Sequence, residues 1–200
     1  MSRKDLFEKI ESYAIELLTT SSVCEMCYHN IEHTRRVVNN VEVIGKHENV
    51  SDDEMFILKA TAWFHDLGYV NAYDGHEEES KVLAQAFLLK EGVENGLIEV
   101  ILSGIDSTRV PQSPKNNLEQ IIADGDLFNL GTDEYFELSV KLFNEWNECG
   151  KPGDINRMWE LSLEFLKGHS YFTSYGKRFL RPKKLENIQA LELQIRNDRL

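Results

Sequence analysis

Two good metal ligands stand side by side in an apolar stretch of this sequence. They are His65 and Asp66, and residues 63–69 read Trp-Phe-His-Asp-Leu-Gly-Tyr. Further candidate ligands come earlier and later in the chain: His29, His33, Asp124 and Asp126. Neutral imidazole nitrogens combined with carboxylate oxygens suit a divalent transition metal that keeps some positions for water. The residue types therefore indicate a metal site.

The chemistry expected of such a site is hydrolysis. Four protein ligands, His33, His65, Asp66 and Asp126, would leave coordination positions open on the ion. A substrate phosphoryl oxygen can bind there, and a bound water whose pKa is lowered becomes a hydroxide nucleophile near neutral pH. Any one of these residues alone is more often an ordinary core or surface residue. Their ordered combination favours the metal site.

The order His, His-Asp, Asp resembles the HD superfamily of metal-dependent phosphohydrolases, over about residues 28–131. The resemblance implies a hydrolase with one divalent ion per chain (Mn, Mg, Fe, Co, Ni or Zn), for which Asp66 is essential. The segment Tyr28-His29-Asn30-x-x-His33 is similar to the motif of cyclic-nucleotide phosphodiesterases in that superfamily. That similarity implies that His33 binds metal and that His29 acts as general acid, a task for which imidazole is suited.

The last ligand and an auxiliary carboxylate also follow from the resemblance. Asp124-Gly125-Asp126-Leu127 resembles the Asp-Ala-Asp-Leu of uncharacterised bacterial HD hydrolases, in which the second Asp is the ligand, so Asp126 is preferred. Asp124 would then orient a ligand histidine. His76-Glu77 resembles a segment of related hydrolases that would place Glu77 near the site, to orient water or act as base. Alternatively, Glu77 is an acidic residue that favours the first turn of a helix.

Several rival interpretations stay open. A non-catalytic HD module that binds a nucleotide or a partner protein would use the metal structurally. A di-iron oxygenase on the same fold needs further histidines, and between Asp66 and Asp126 the sequence offers His76 alone, so one tightly held ion is expected. A zinc knuckle built from Cys24, Cys27 and the two following histidines is disfavoured, because a single residue separates the pairs.

The expected substrate is a phosphoester or phosphoanhydride of a nucleotide or another small organophosphate. A formal charge of −12 argues against extended nucleic-acid binding, although local cations can still bind one phosphate. The candidate cations are Lys81, Arg109, Lys115, Lys177, Arg178 and Arg181. Residues 168–173 are aromatic and polar, and either wall a nucleobase or belong to the core.

The elements that must position these residues are helices almost throughout. Apolar residues recur at helical spacing, and nothing divides residues 1–200, so we expect one domain, an all-α bundle of the HD type. A second helix should begin near His29 or Asn30. Ser51 and Glu54 predict a capping box, Thr132 and Asp154 predict N-caps, and Pro182 suits the first turn of a last helix.

The cellular setting is expected to be the cytoplasm. The N-terminal residues contain no signal-peptide apolar region, and no apolar stretch is long enough to cross a bilayer. Three cysteines, Cys24, Cys27 and Cys149, form no disulfide framework and fit reduced thiols. The oligomeric state is left open by the sequence.

Overall fold

The computed structural model of the chain describes residues 2–20, 27–150 and 155–197, with the backbone alone at 155 and 156. Within these ranges it forms nine α-helices and no strand, which confirms the all-α prediction. The helices are α1 (Arg3–Thr20), α2 (Ile31–His47), α3 (Asp52–Phe64), α4 (His76–Lys90), α5 (Asn95–Asp106), α6 (Asn117–Asp126), α7 (Tyr135–Glu148), α8 (Ile155–Gly168) and α9 (Arg181–Asn197).

Helix α2 turns His33 toward the interior. The helix starts where the Asn30 side chain accepts hydrogen bonds from the backbone N–H groups of residues 32 and 33, which satisfies amides that have no partner within the helix. Val37, Val41 and Ile44 then follow at helical spacing and are buried. His33 lies one turn before Val37, so it shares this buried face.

Helix α3 carries the His-Asp pair into the centre of the bundle. Ser51 and Glu54 form the predicted capping box at its start. Every residue from Ala60 to Phe64 is buried, so the second half of the helix is covered on all sides and is a central element. His65 is the C-cap residue and is completely buried.

The first six helices share one hydrophobic cluster. Residues of α1 to α6 contribute to it, and the largest fully buried side chains are Ile10, Ile44, Leu58, Phe64, Leu67, Leu88, Ile98, Ile101, Ile105, Ile121 and Ile122. Helices α2, α3 and α6 are mutual neighbours in this cluster. The three segments that carry His33, His65-Asp66 and Asp126 therefore converge.

A close approach of α2 and α6 explains the glycine at position 125. A Cβ atom there would lie 2.5 Å from Val41 Cγ1, closer than side chains tolerate. The Asn40 amide also donates a hydrogen bond of 3.0 Å to the Gly125 carbonyl. Glycine thus allows the contact that brings the end of α6 against α2, next to His33.

A second hydrophobic cluster is built by the last part of the chain. Its buried members are Leu130, Tyr135, Leu166, Tyr171, Leu180 and Leu191. Phe128 and Tyr175 pack against both clusters. The 3-10 turn Leu127–Gly131, directly after α6, is therefore one of the places where the last part of the chain connects with the motif-bearing helices.

Some sequence predictions need correction. Helix α7 begins at Tyr135, and Thr132 does not cap it, because the Thr132 hydroxyl instead donates to the Asn129 carbonyl. Cys149 is disulfide-bonded, so the expectation of reduced thiols is wrong for that residue, whereas Cys27 is not part of a disulfide. The candidate cap Asp154 and Cys24 lie outside the described residues. Pro182 does lie in the first turn of α9.

A helix that crosses a membrane must be both long and apolar. No helix in the described part of the chain combines these two properties.

Candidate metal centre

Three of the predicted ligands meet in a tight, buried cluster. His33 Nε2 lies 3.3 Å from His65 Nε2 and 3.2 Å from Asp66 Oδ2, and His65 Nε2 lies 3.1 Å from the same oxygen. All three residues are buried. Ligands about 2.1 Å from a common ion stand roughly 3.0–3.4 Å apart in octahedral or tetrahedral geometry. The spacing of the three atoms therefore fits a shared metal ion.

The hydrogen bonds around the cluster are also those expected at a cation-binding site. His65 Nδ1 lies 2.8 Å from the Ala62 carbonyl oxygen, which only accepts, so Nδ1 carries a proton and Nε2 is the nitrogen that faces His33 and Asp66. Asp66 Oδ2 is buried and accepts no hydrogen bond. Lone pairs that face one another at this distance repel unless a proton or a cation lies between them, so this chain's residues suit a divalent ion.

Asp126 approaches both histidines but stands outside the tight cluster of three. Its Oδ1 lies 3.4 Å from His33 Nε2 and 3.6 Å from His65 Nε2. Burial raises the pKa of Asp126, but hydrogen bonds with the two histidines outweigh burial and lower it to about 2. Burial likewise raises the pKa of Asp66, and the neighbouring His65 and the other histidines bring it well below its usual range. Both carboxylates are therefore ionised and available as ligands at neutral pH.

The sequence suggested that Asp124 orients a ligand histidine, but in the structure Asp124 has other partners. Its carboxylate accepts hydrogen bonds from the backbone N–H groups of Phe172 and Thr173 and a 2.6 Å bond from the Thr173 hydroxyl. Asp124 is completely buried. It thus fixes the segment before the π-helical turn Gly176–Leu180 onto the end of α6, whereas Asp126 faces the histidines.

His29 lies before α2 and is held by a residue that sequence reasoning missed, Glu145. The sequence had allowed His29 and His33 to share a helix face, but α2 begins at Ile31. The completely buried Glu145 carboxylate accepts from His29 Nδ1, from the backbone N–H groups of Tyr28 and His29 at 2.8 and 2.9 Å, and from the Tyr73 hydroxyl at 3.1 Å. Burial raises the pKa of Glu145, yet these hydrogen bonds and the charge of His29 bring it below its usual value.

This arrangement leaves the other nitrogen of His29 facing the site. With Nδ1 directed at Glu145, Nε2 lies 3.4 Å from the Tyr69 hydroxyl. The Tyr69 ring stacks on His29 with centroids 4.2 Å apart and on His76 at 3.8 Å. His76 in turn places Nε2 3.4 Å from Asp66 Oδ1. The rings of His29 and His33 are 5.6 Å apart, so the predicted acid is close to the cluster.

The polar residues line one end of a cavity of about 520 Å³, which we call the site cavity. These residues are Tyr28, His29, Asp66, Tyr69, His76, Glu77 and Asp126. Glu77 is the auxiliary carboxylate predicted from the sequence, and it lies 3.8 Å from His76 Nδ1 and 3.7 Å from Arg109. The structure therefore brings all the predicted site residues to the same place.

Most of the candidate phosphate-binding cations are elsewhere. Lys81 pairs with Glu78 and Asp106, and the Lys177 ammonium group donates to the Phe172 carbonyl. Tyr171, in the aromatic segment 168–173, is buried in the second hydrophobic cluster. That segment supplies no lining of the site cavity, in agreement with the core interpretation. The aromatic residues that do line it, besides Tyr28 and Tyr69, come from α7 and α8.

Three solved structures with similar folds share less than 20% sequence identity with this chain. YpgQ of Bacillus subtilis, solved in complex with ADP, is 17% identical, with a TM-score of 0.68 over 98% of this chain and 97% of that chain. A Lactobacillus plantarum protein is 16% identical, with a TM-score of 0.67 over 96% and 94%. A predicted HD superfamily hydrolase from an uncultured Thermotogales bacterium is 19% identical, with a TM-score of 0.56 over 84% and 97%. At these identities the likeness shows the fold.

The family follows from the sequence itself. No protein of curated function matches the chain. The family model of the HD domain matches residues 30–129, which contain His33, His65, Asp66 and Asp126. The matched half of the chain forms the helices that carry the cluster of His33, His65 and Asp66, which we call the metal-type cluster. The chain belongs to the HD-domain family.

Proposed function

We propose that the protein is a metal-dependent phosphohydrolase that cleaves a phosphoester or phosphoanhydride of a small organophosphate. The observation that carries this proposal is the convergence of His33 Nε2, His65 Nε2 and Asp66 Oδ2 within 3.1–3.3 Å of one another. Asp126 would complete the ligand set. When bound, a divalent ion supplies an electrophile for a phosphoryl oxygen and increases the acidity of water.

His29 is proposed to donate the proton that the leaving oxygen needs. Its Nε2 faces the site cavity, while Glu145 accepts from Nδ1 and fixes the orientation of the ring. An imidazole that is anchored on one side and open on the other can deliver a proton from a constant direction. Because Glu145 is buried and ionised, it also stabilises the positive charge of the protonated ring.

Glu77 is proposed as an auxiliary group. It lines the site cavity and has a side chain that is 12% exposed. From this position its carboxylate can accept a hydrogen bond from water and orient it toward a substrate held near Asp66. The nearby Arg109 lies on the solvent side of Glu77 and is 46% exposed, so it can approach a phosphate group that enters the site cavity.

A nucleotide is one substrate class that the proposal includes. The similarly folded YpgQ was solved in complex with ADP, which supports nucleotides as ligands to test first. One ion per chain is proposed, because a single cluster of this kind is found within the described residues. His76, which lies beside Asp66, offers a position for a second and weaker ion.

The test is hydrolysis of a panel of cyclic nucleotides, nucleoside mono- and triphosphates and an aryl phosphodiester. Chelated protein is assayed with each added divalent metal, beside Asp66→Ala and the matched control Asp133→Ala, a side chain that is 92% exposed. We expect metal-dependent turnover that is lost in Asp66→Ala and retained in Asp133→Ala. Protein that binds a metal but hydrolyses none of the panel would instead support the non-catalytic binding module.

A further inference from the structure

The site cavity has a second end that is markedly apolar. Apart from the polar residues, its wall is formed largely by side chains of α7 and α8. These include Leu138, Leu142, Phe143, Met158, Leu161 and Phe165. Binding sites for small molecules are commonly apolar cavities of 300–1,000 Å³ in which a few polar groups fix the orientation of the ligand. The site cavity has this composition, with its polar groups at one end.

Positive charge is scarce in the site cavity. Among the described residues that line it there is no lysine or arginine. Arg109 pairs with Glu77, Glu78 and Asp106 just outside. Arg36 lines an adjoining cleft of about 260 Å³, which shares Tyr28, Asp126 and Asn129 with the site cavity. A divalent ion can compensate one phosphate group, but a chain of phosphates would place uncompensated negative charge beside Glu77 and Asp126.

Three hydroxyl groups in the cavity wall, those of Thr108, Ser139 and Ser162, are already used. The Thr108 hydroxyl donates to the Ile105 carbonyl at 2.8 Å, and the Ser139 hydroxyl donates to the Tyr135 carbonyl at 2.8 Å. The Ser162 side chain is hydrogen-bonded with Tyr135. Each hydroxyl has a single hydrogen to donate, so these groups cannot also read the acceptors of a nucleobase. A polar ring buried there would lose hydrogen bonds that it makes in water.

From these observations we propose that the site cavity selects phosphate esters whose organic part is bulky and apolar. The phosphate would lie at the polar end, near Asp66 and Asp126, and the alkyl or aryl group would extend between α7 and α8. This inference rests on the proposed function and adds the substrate class to it. Each buried methylene group strengthens binding by about 0.8 kcal/mol, roughly fourfold in affinity.

The inference is tested by binding, without turnover, using alkylphosphonates. Methyl-, butyl-, hexyl- and octylphosphonate are titrated calorimetrically into Mn²⁺-loaded protein, with the phosphonate analogue of AMP, which has no ester bond to hydrolyse, as the nucleotide comparison. We expect affinity to rise by about threefold to fourfold per methylene through the series, so that octylphosphonate binds more tightly than the AMP analogue. Equal affinities along the series, the absence of binding, or tighter binding of the AMP analogue than of octylphosphonate would overturn the inference.

Variants of α7 test whether the alkyl group of the phosphonate binds at the apolar end of the site cavity. Leu142→Trp fills part of the cavity and should reduce the affinity gain from methyl- to octylphosphonate by at least tenfold. Val140→Trp is the matched control, because Val140 lies on the same helix and is exposed, and it should retain the full gain. Met158→Trp, on the facing wall, repeats the test if Leu142→Trp does not fold. A gain that is unchanged in the folded cavity variant would overturn the assignment.

The two proposals can fail separately. If the phosphonate series rises but no phosphoester is hydrolysed with any metal, the apolar binding site stands and the hydrolase proposal fails. If nucleoside phosphates are hydrolysed and the phosphonate series is flat, the hydrolase stands and the apolar preference fails.

Discussion

Glu145 joins two parts of the chain that are 116 residues apart, and it fixes the orientation of the His29 ring. The carboxylate has no exposed surface and accepts from the His29 ring and from two backbone N–H groups. Burying a carboxylate is costly unless it is hydrogen-bonded. A buried acid that is satisfied mainly by the segment before α2 therefore points to a positioning role for Glu145.

Replacement of Glu145 by glutamine should slow the proton transfer and leave metal binding intact. The amide lacks the negative charge that stabilises the protonated His29 ring, so kcat should fall by about 10- to 100-fold for alkyl phosphoesters. Esters of p-nitrophenol, whose leaving group needs no proton, should lose much less activity. The measurement is kcat for both substrate types, together with bound metal.

Glu148→Gln is the matched control, since Glu148 lies on the same helix and is exposed. It should leave both rates unchanged. An equal loss for the two leaving groups in Glu145→Gln would argue that Glu145 supports only the structure.

The candidate metal ligands could be predicted from the sequence because they form local patterns. His65 and Asp66 are adjacent, and His33 lies four residues after His29 at the start of a helical apolar pattern. Glu145 has no such pattern, because an acidic residue on α7 looks like any other until the fold buries it. The choice between Asp124 and Asp126 depended on the resemblance, and the structure now gives each carboxylate different partners.

At the scale of elements, the α2–α6 contact sets the distance between His33 and Asp126. Gly125→Ala should push α6 away from α2, because the new methyl group would meet Val41 Cγ1 at 2.5 Å. We expect metal affinity to fall by about tenfold and the free energy of unfolding to fall by about 1–3 kcal/mol. Metal titration measures the affinity, and urea denaturation measures the free energy of unfolding.

The control is a double variant that combines Val41→Ala with Gly125→Ala, and it tests whether the effect of Gly125→Ala is steric. Val41→Ala removes the methyl group that a Cβ at position 125 would meet, so the double variant should recover metal affinity relative to Gly125→Ala. Val41→Ala alone costs stability through a small cavity. Additive losses of affinity in the double variant would exclude the steric explanation.

The helices were predicted well wherever an apolar face repeats. The helical spacing of apolar residues predicted an all-α bundle, and local capping chemistry predicted the start of α3. The irregular elements were not predicted, because the turns Leu127–Gly131 and Gly176–Leu180 depend on tertiary contacts. Asp124, for example, fixes residues 172–173, which lie nearly 50 positions away.

At the scale of the whole molecule, an acid-sensitive group, His169, lies beside the second hydrophobic cluster, where its ring contacts Phe165 and Tyr171. Burial and the nearby charge of Lys184 together lower the pKa of His169 to about 4. The Lys184 ammonium group donates to the His169 carbonyl and lies 3.3 Å from Nδ1. The ring is therefore neutral in the folded chain, whereas in the unfolded chain its pKa is about 6.5.

This shift has a definite sign for acid stability. Because the folded pKa is below the unfolded value, the unfolded state binds the proton first, and stability is lost as pH falls below about 6.5 toward 4. We expect the free energy of unfolding of the wild type to fall, relative to His169→Gln, between pH 6.5 and 4.5. Urea denaturation at several pH values measures this difference, and parallel pH curves for the two proteins would contradict the assignment.

The central claim for the molecule is that His33, His65 and Asp66 hold a divalent ion on which hydrolysis depends. The most direct measurement titrates chelated protein with Mn²⁺ and follows bound metal and phosphoester turnover in the same samples. Turnover should rise in proportion to bound metal and reach its maximum at one ion per chain, and His65→Ala should lose both. Full turnover in metal-free protein, or unchanged metal binding and turnover in His65→Ala, would contradict the claim.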